Sequence, residues 1–580
     1  MPLHSLAPSE TNLIPAAVLL ALVSDYLNVL QLSRSHFPQI NHLYFHRFEP
    51  KSANRPLLAL AIQPLLLLVA FSVPRSFVTL LTTSTVFIAT LCASIALYRV
   101  SPWHPLAHIP GPAIHKITKL RGVWVALGGN QHRVIKALHD RYGPFVRTGP
   151  NEVSVVHVDA IKTVLGTGGF PKGQYYDVRA DPTLPTRSLL TLQGEAHANR
   201  RRIWNRGMSS ESLADYETIL ARRIAQLMER LEGLSASGAG AGAVDIAAWF
   251  SFFSFDFMGD MAFGGGFEML RDGGDENGLW AIIEQGARSI HVVSHIPWIV
   301  ATLYLIPGAT RGIQTLRGFG AACARKRIAS GSTVRDLWYH LTDEAALEKT
   351  QPTVGEVVAD GVLSIVAGSD TTSVALSSFV FFLLSNPDIY QRVQAEVDAV
   401  YPDGESLLDT SKHAELHLLT ACLNETLRLS PPVPSNGPRQ VPRGEGRLVA
   451  GCFIPEHTQI YIPPYALHRS AAHFFPAPDA FDPDRWLRAA GGAAGGRGGP
   501  GEVLNPAAFI PFSYGAHNCV GRALAWREML MLASTLLRTF EVRFADGFAA
   551  AGAAAGWAER LHDVFVTSVG APLMVELKRR

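Results

Sequence analysis

Phe512-Ser-Tyr-Gly-Ala-His-Asn-Cys-Val-Gly521 runs directly into an apolar, helix-forming segment that begins at Arg522. Three features coincide there. The turn contains two glycines, it carries a single cysteine, and that cysteine stands at a helix start. A helix N-terminus favours a thiolate, turn N–H groups can hydrogen-bond the sulfur, and glycine lets the backbone come close to a flat ligand. A buried, inert thiol is the other reading of the same residues. The spacing F-x-x-G-x-x-x-C-x-G is not an ordinary one: with this chain's own composition it would arise by chance about twice in a thousand such sequences.

Upstream, the segment 353–384 predicts one long helix. Thr353-Val-Gly-Glu356 has the form of a capping box, an apolar run follows, and Ser385-Asn-Pro387 stops it. In its middle, Ala367-Gly-Ser-Asp-Thr-Thr372 places a glycine, an acid and hydroxyls where propensity and patterning ask for apolar residues. Between the two lies 416–430, with Glu425 and Arg428 three apart on one helix face. Alone, such a pair is usually surface decoration. Short β signals occur at 145–158 and 459–462, so the expected class is mainly α with small β-sheets. Gly/Ala tracts at 235–243, 489–501 and 549–556 read as surface insertions.

Composition narrows the function classes. Among 580 residues, 51 Lys+Arg against 49 Asp+Glu leave a net charge of +2, which gives no support to a nucleic-acid partner. At 48% hydrophobic and 17% charged, the chain is too apolar for intrinsic disorder and rich enough for a membrane part. Five scattered cysteines exclude a disulfide scaffold and a zinc site built on C-x-x-C pairs. Apolar segments at 13–32, 57–73 and 77–98 make residues 1–100 a membrane region of up to three transmembrane helices. Residues 1–12 lack Lys and Arg, which argues against a signal peptide. Basic residues in 33–56 and after Tyr98 place both on the cytosolic side. Residues 101–112, with prolines at 102, 105, 110 and 112, are expected to be a stiff, extended hinge, and 113–580 the catalytic domain.

Taken jointly, the A-G-S-D-T-T motif at 367–372, E-x-x-R at 425–428, Pro483-Asp-Arg-Trp486 and the cysteine loop resemble the haem-thiolate monooxygenases, the cytochrome P-450 family. Their order and approximate spacing match over most of 102–545. The resemblance implies a haem-thiolate fold preceded by membrane helices, haem b as cofactor, and Cys519 as the proximal iron ligand within a loop opened by Phe512. It implies a structural network of Glu425, Arg428 and Arg485 holding that loop. Asp370 and Thr371 become the catalytic pair for oxygen and protons, and Gly368 opens room for oxygen and substrate. His197, Arg201, Arg439 and His517 are the candidates for the haem propionates. Two departures stand out, His517 where members mostly have Arg and His197 where many have Trp. A carboxylate beside His517 should raise its pKa and make haem retention weaken as pH rises.

The implied activity is insertion of one oxygen atom from O2 into a lipophilic small molecule, in the manner of eukaryotic, often fungal, secondary metabolism. Electrons would come from NADPH through a separate cytochrome P-450 reductase, since no G-x-G-x-x-G follows a strand here. The implied location is the endoplasmic reticulum membrane, in contact with its lipid and with the catalytic domain in the cytosol. Substrate selectivity is expected in 173–193, 360–368 and 433–438. A haem-thiolate isomerase or dehydratase working without O2 is the alternative enzyme. A multi-span membrane carrier or receptor is the non-enzymatic one, and it accounts only for residues 1–100.

Overall fold

A computed structural model describes residues 37–47, 52–70 and 76–580, apart from 181–185, 237–241, 277, 332–333, 445, 492–500, 551 and 553, together with four isolated positions before Phe37. The expected first span at 13–32 therefore lies outside the described residues but for those four positions. The other two segments are helices: α2, Asn54–Ala70, and α3, Phe77–Val100. Ser76 caps α3 through a capping box with Thr79. α3 is long and apolar enough to cross a membrane, and little of it is buried by the rest of the chain.

Residues 33–56 are not a free loop. Helix α1, Phe37–Arg47, lies along both neighbours, with Asn41 bonded to Gln63 at 2.7 Å, His42 to Ser94 at 2.8 Å and His46 to Tyr98 at 2.7 Å. The stretch before α2 also reaches the large domain: Ala53 N–H donates to the Trp298 carbonyl at 3.0 Å, and Thr302 Oγ1 donates to Asn54 Oδ1 at 2.5 Å.

The connector 101–112 departs from expectation. It is a run of turns, not an extended rod, because Leu106 and Ile109 between its prolines are drawn into the core with Val153, Val155 and Ile460. Burial of two large aliphatic side chains, each worth roughly 1.5–3 kcal/mol, outweighs the extended preference of proline. Arg147 seals the junction, its backbone N–H donating to the Pro110 carbonyl at 2.7 Å and its Nη1 to the Arg99 carbonyl at 2.9 Å.

Beyond it the chain is mainly helical with small sheets. After α4, Gln131–Tyr142, come strands β1, Phe145–Gly149, and β2, Glu152–Val155. Then follow α5, Gly194–Gly207; α6, Ser210–Ala236; α7, Ile246–Phe263; α8, Leu279–Ser294; α9, Arg311–Ser330; and α10, Val354–Leu384. Next are α11, His417–Leu429; β3, Arg439–Gln440; β4, Gln459–Tyr461; α12, Asp484–Gly491; and α13, Arg522–Thr539. A hairpin of β5, Leu561–Val564, and β6, Val566–Val569, completes the site region. The first sheet has the order β1-β2-β4-β3, with β2 and β4 parallel and the outer pairs antiparallel.

The core is built around α10, whose 31 residues span about 46 Å. Thr353 and Glu356 form the capping box read from the sequence. α10 packs most extensively on α7, a helix of which every residue but Ala248 is buried, as expected of a helix apolar on all sides. Gly368 permits that contact: a Cβ there would lie 2.6 Å from Met258 Sδ. The expectation that Gly368 opens room for ligand is therefore corrected, since its bare side is filled by α7.

α5 is fastened to α10 at Asp360. This buried carboxylate accepts from Arg200 Nη1 at 2.9 Å, Trp204 Nε1 at 3.0 Å and the Leu189 N–H at 2.8 Å. Asp360 thus belongs to the scaffold, not to a selectivity segment. Its removal strands a buried Arg and Trp, so Asp360→Ala should destabilise the fold by about 3–5 kcal/mol. Thermal and urea unfolding check this, and Asp360→Asn should recover part of the loss by keeping two acceptor bonds.

Candidate active site: the cysteine loop and its surroundings

The loop 512–521 is shaped by its own backbone. Cys519 N–H donates to the Phe512 carbonyl at 2.9 Å, and Asn518 N–H to the Gly515 carbonyl at 3.0 Å. Gly515 has φ +73°, and a Cβ there would lie 2.2 Å from the Leu165 carbonyl oxygen, so only glycine fits. Cys519 is exposed. Desolvation by the surrounding protein still raises its thiol pKa; the Gly521 N–H, Arg201 and Arg522 pull in the opposite direction but do not win. The helix start thus does not make a thiolate unaided; a metal cation bound at the sulfur would favour its deprotonation.

Behind the loop lies the Glu425 network. Both residues of the ion pair are fully buried, with Arg428 Nε and Nη2 each 2.8 Å from a Glu425 oxygen. Glu425 also accepts from Arg485 Nε at 3.1 Å, Trp486 Nε1 at 3.0 Å and the Asp482 N–H at 3.0 Å. Arg428 in turn donates to the carbonyls of His468 and Ala480 at 2.8 and 2.9 Å. Sequence reasoning missed His468. Its Nε2 accepts from the Ile510 N–H at 3.0 Å and so ties the network to the residue two before Phe512. Burial, then Arg428, pushes its pKa down to about 3, which keeps that nitrogen an acceptor.

A second cluster is entirely basic. Lys172, His197, Arg201, Arg439 and His517 converge from four separate segments, His197 and Arg201 both lying on α5. The His197 and His517 rings are 3.9 Å apart between centroids. Arg201 donates to Asn518 O at 2.7 Å and Asn518 Oδ1 at 2.6 Å, which binds α5 to the cysteine loop. Arg439 Nε and Nη1 and His517 Nδ1 are buried with no hydrogen-bond partner. Orphaned donors in a cationic cluster suit a ligand bearing carboxylates. These residues therefore fit the propionates of haem b. Lys172 was not foreseen, because only its β-bridge with Arg439 brings it there. Burial, then Arg439 and Arg201, lowers it to about 7. Burial, followed by Lys172, Arg439, His197 and Arg201, pushes His517 down to about 2. The protein groups around His517 thus favour its neutral form.

On the other side, Asp370 and Thr371 are only half-buried in the middle of α10, while Ser369 and Thr372 beside them are buried. Thr371 Oγ1 donates to the Ala367 carbonyl at 2.7 Å, leaving its lone pairs to accept from a ligand. Burial, with Glu284 adding to it, raises Asp370 to about 7. Such an acid both takes and gives protons near neutrality. The β5–β6 hairpin, unforeseen in the sequence, closes on the segment 174–179: Arg179 lies over the Phe565 ring at 4.1 Å and the Tyr175 ring at 4.7 Å. Phe565, at φ +82°, is strained for a bulky residue.

A cysteine at the head of an interior helix, a buried Glu–Arg–Arg network behind it, a cationic cluster beside it and an acid–hydroxyl pair on a long helix define a haem-thiolate enzyme. The family model for cytochrome P-450 matches residues 110–548. Cytochrome P-450 67 of Uromyces fabae is 32% identical over 526 residues, covering 89% of this chain and 94% of the relative. Tryprostatin B 6-hydroxylase of Aspergillus fumigatus is 32% identical, covering 80% and 79%. The cytochrome P-450 monooxygenase cpaH of Aspergillus oryzae is 32% identical, covering 79% and 87%. The chain belongs to the cytochrome P-450 family, and with it come haem b, monooxygenase chemistry and electrons from NADPH through a reductase.

Two outcomes follow from the site. Cys519→Ser should abolish the red-shifted Soret band that carbon monoxide gives a reduced thiolate-ligated haem, read directly in a difference spectrum. Removing a charged propionate partner should cost roughly 1.5–3 kcal/mol, or about 10- to 100-fold in retention. Lys172→Met and Arg439→Ala should therefore lose haem faster to apomyoglobin by that factor.

Proposed function

We propose that this chain is a membrane-anchored monooxygenase of secondary metabolism, oxidising a lipophilic small molecule with electrons from an NADPH–cytochrome P-450 reductase. The observation that carries the reading is the Asp370–Thr371 pair, a proton-exchanging acid beside a hydroxyl with free lone pairs. When bound, haem supplies an iron centre that activates O2. Around it this chain's residues have separate tasks. Cys519 ligates the iron, with its loop held by the Glu425 network. Lys172, His197, Arg201, Arg439 and His517 orient the propionates. Thr371 accepts a hydrogen bond at the oxygen-binding face, and Asp370 passes protons to it from solvent. The hairpin tip at Phe565 and the segment around Tyr175 shape an apolar substrate wall.

The fungal relatives named tryprostatin B 6-hydroxylase and cytochrome P-450 monooxygenase cpaH support a place in secondary metabolism. α2 and α3, as an apolar hairpin ahead of the domain, support anchoring in the endoplasmic reticulum with the domain in the cytosol. Membranes carrying the protein and a fungal reductase, given a metabolite extract and NADPH, should convert one compound to a product heavier by the mass of one oxygen atom. Thr371→Ala should consume NADPH while releasing several-fold more peroxide per product, since removing a proton-transfer group costs about 10²-fold or more in the productive step. Unaltered coupling in that variant would favour chemistry in which no O–O bond is broken.

A further inference from the structure

Glu528 is a carboxyl that neither the cysteine loop nor the catalytic pair uses. It lies nine residues after Cys519 and about 9 Å along α13 from its start at Arg522. It is 2% exposed, sits in a layer of Met, Leu and Ala, and forms no ion pair among the described residues. An isolated carboxylate in such a place is among the costliest groups a core can hold. Where a costly polar group persists among apolar neighbours, a specific role is the natural explanation.

Its partners identify that role. Ser254 Oγ, on α7, donates to Glu528 Oε1 at 3.3 Å. The Thr372 hydroxyl, on α10 and adjacent to Thr371, is close enough to the same carboxyl to favour its charged form. Ser369, one residue before Asp370, donates from its Oγ to the Ser254 carbonyl at 3.3 Å and so closes the circuit. Glu528 thus ties α13, the helix that follows Cys519, to α7, and Ser369 ties α7 to α10, the helix that carries Asp370 and Thr371. The two α10 residues in this circuit bracket Asp370 and Thr371 in sequence. We propose that Glu528 is a positioning residue that fixes Asp370 and Thr371 relative to the thiolate side of the site.

The carboxyl does this as a neutral acid. Burial lifts its pKa to about 8, and the hydroxyls of Ser254 and Thr372 offset this only in part. A protonated carboxyl has one donor and free acceptor positions, which satisfies two hydroxyls at once without placing a charge beneath the site. Glutamine has the same shape, donors and acceptor, whereas alanine leaves both hydroxyls unpaired.

The inference rests on the monooxygenase reading, and the parent protein controls for that reading: a parent with no carbon monoxide band and no NADPH consumption would overturn the reading itself. With an active parent, reductase and NADPH are supplied without substrate, and peroxide released per NADPH is measured. Losing one or two hydrogen bonds corresponds to roughly a twofold to tenfold effect. Glu528→Ala should keep the thiolate-type carbon monoxide band and raise the peroxide rate by that factor, Thr372→Val should move the same way, and Glu528→Gln should stay close to the parent. The infrared band of a protonated carboxyl should be present in the parent and absent in Glu528→Gln. An unchanged peroxide rate in Glu528→Ala would overturn the inference. So would an equal rise in Glu528→Gln, which would make the proton itself, not the bonded geometry, the operative feature. Should Glu528→Ala fail to fold, Ser254→Ala and Thr372→Val each remove one hydroxyl, and no effect from either would count against the role.

Discussion

The setting of the cysteine loop depends on one buried ion pair, Glu425 with Arg428. In isolation the pair would be a poor investment, because taking two charges out of water costs more than their attraction returns. Here every remaining valence is used. Glu425 receives Arg485, Trp486 and a backbone N–H in addition to Arg428, and Arg428 spends its spare donors on carbonyls of the segment 468–480. The result is a rigid block made from three distant stretches of chain. His468 transmits that rigidity to Ile510, and the cysteine loop starts from there. The loop can be glycine-rich and still fixed because what it is attached to does not move.

Some of this was legible in the sequence and some was not, and the difference is one of distance along the chain. The capping box at Thr353, the Glu425–Arg428 pair and the turn around Cys519 are local arrangements, within three to ten residues, so periodicity and spacing suffice. Lys172, His468, Trp204 with Asp360, and the hairpin at Phe565 acquire their meaning from partners brought together by the fold. No window of sequence contains both halves. Two expectations failed for the same reason. The proline-rich connector was read from its prolines, while Leu106 and Ile109 between them answered to a core some forty residues away. Gly368 was read as room for ligand, while Met258 on another helix occupied that side.

The two departures from the family pattern, at 197 and 517, turn out to be one. Their imidazole rings touch each other, so a substitution on α5 and another in the cysteine loop meet across the same gap. Lys172 and Arg439, joined by a β-bridge, place basic side chains beside them. Burial and mutual repulsion among these groups favour the neutral form of both imidazoles.

The hydrogen bonds that join Ala53 to Trp298 and Thr302 to Asn54 bear on how the enzyme moves. In the anchored orientation proposed above, a domain hung from α3 by a single stalk could tilt and spin over the bilayer like a buoy on a chain. This domain is moored twice, once where Arg147 grips Arg99 and again where the start of α2 meets Trp298. Two separated moorings leave only rocking about the line that joins them. The mouth of the enzyme would then keep a constant heading relative to the lipid, and a molecule dissolved in the membrane would meet the same face at every encounter.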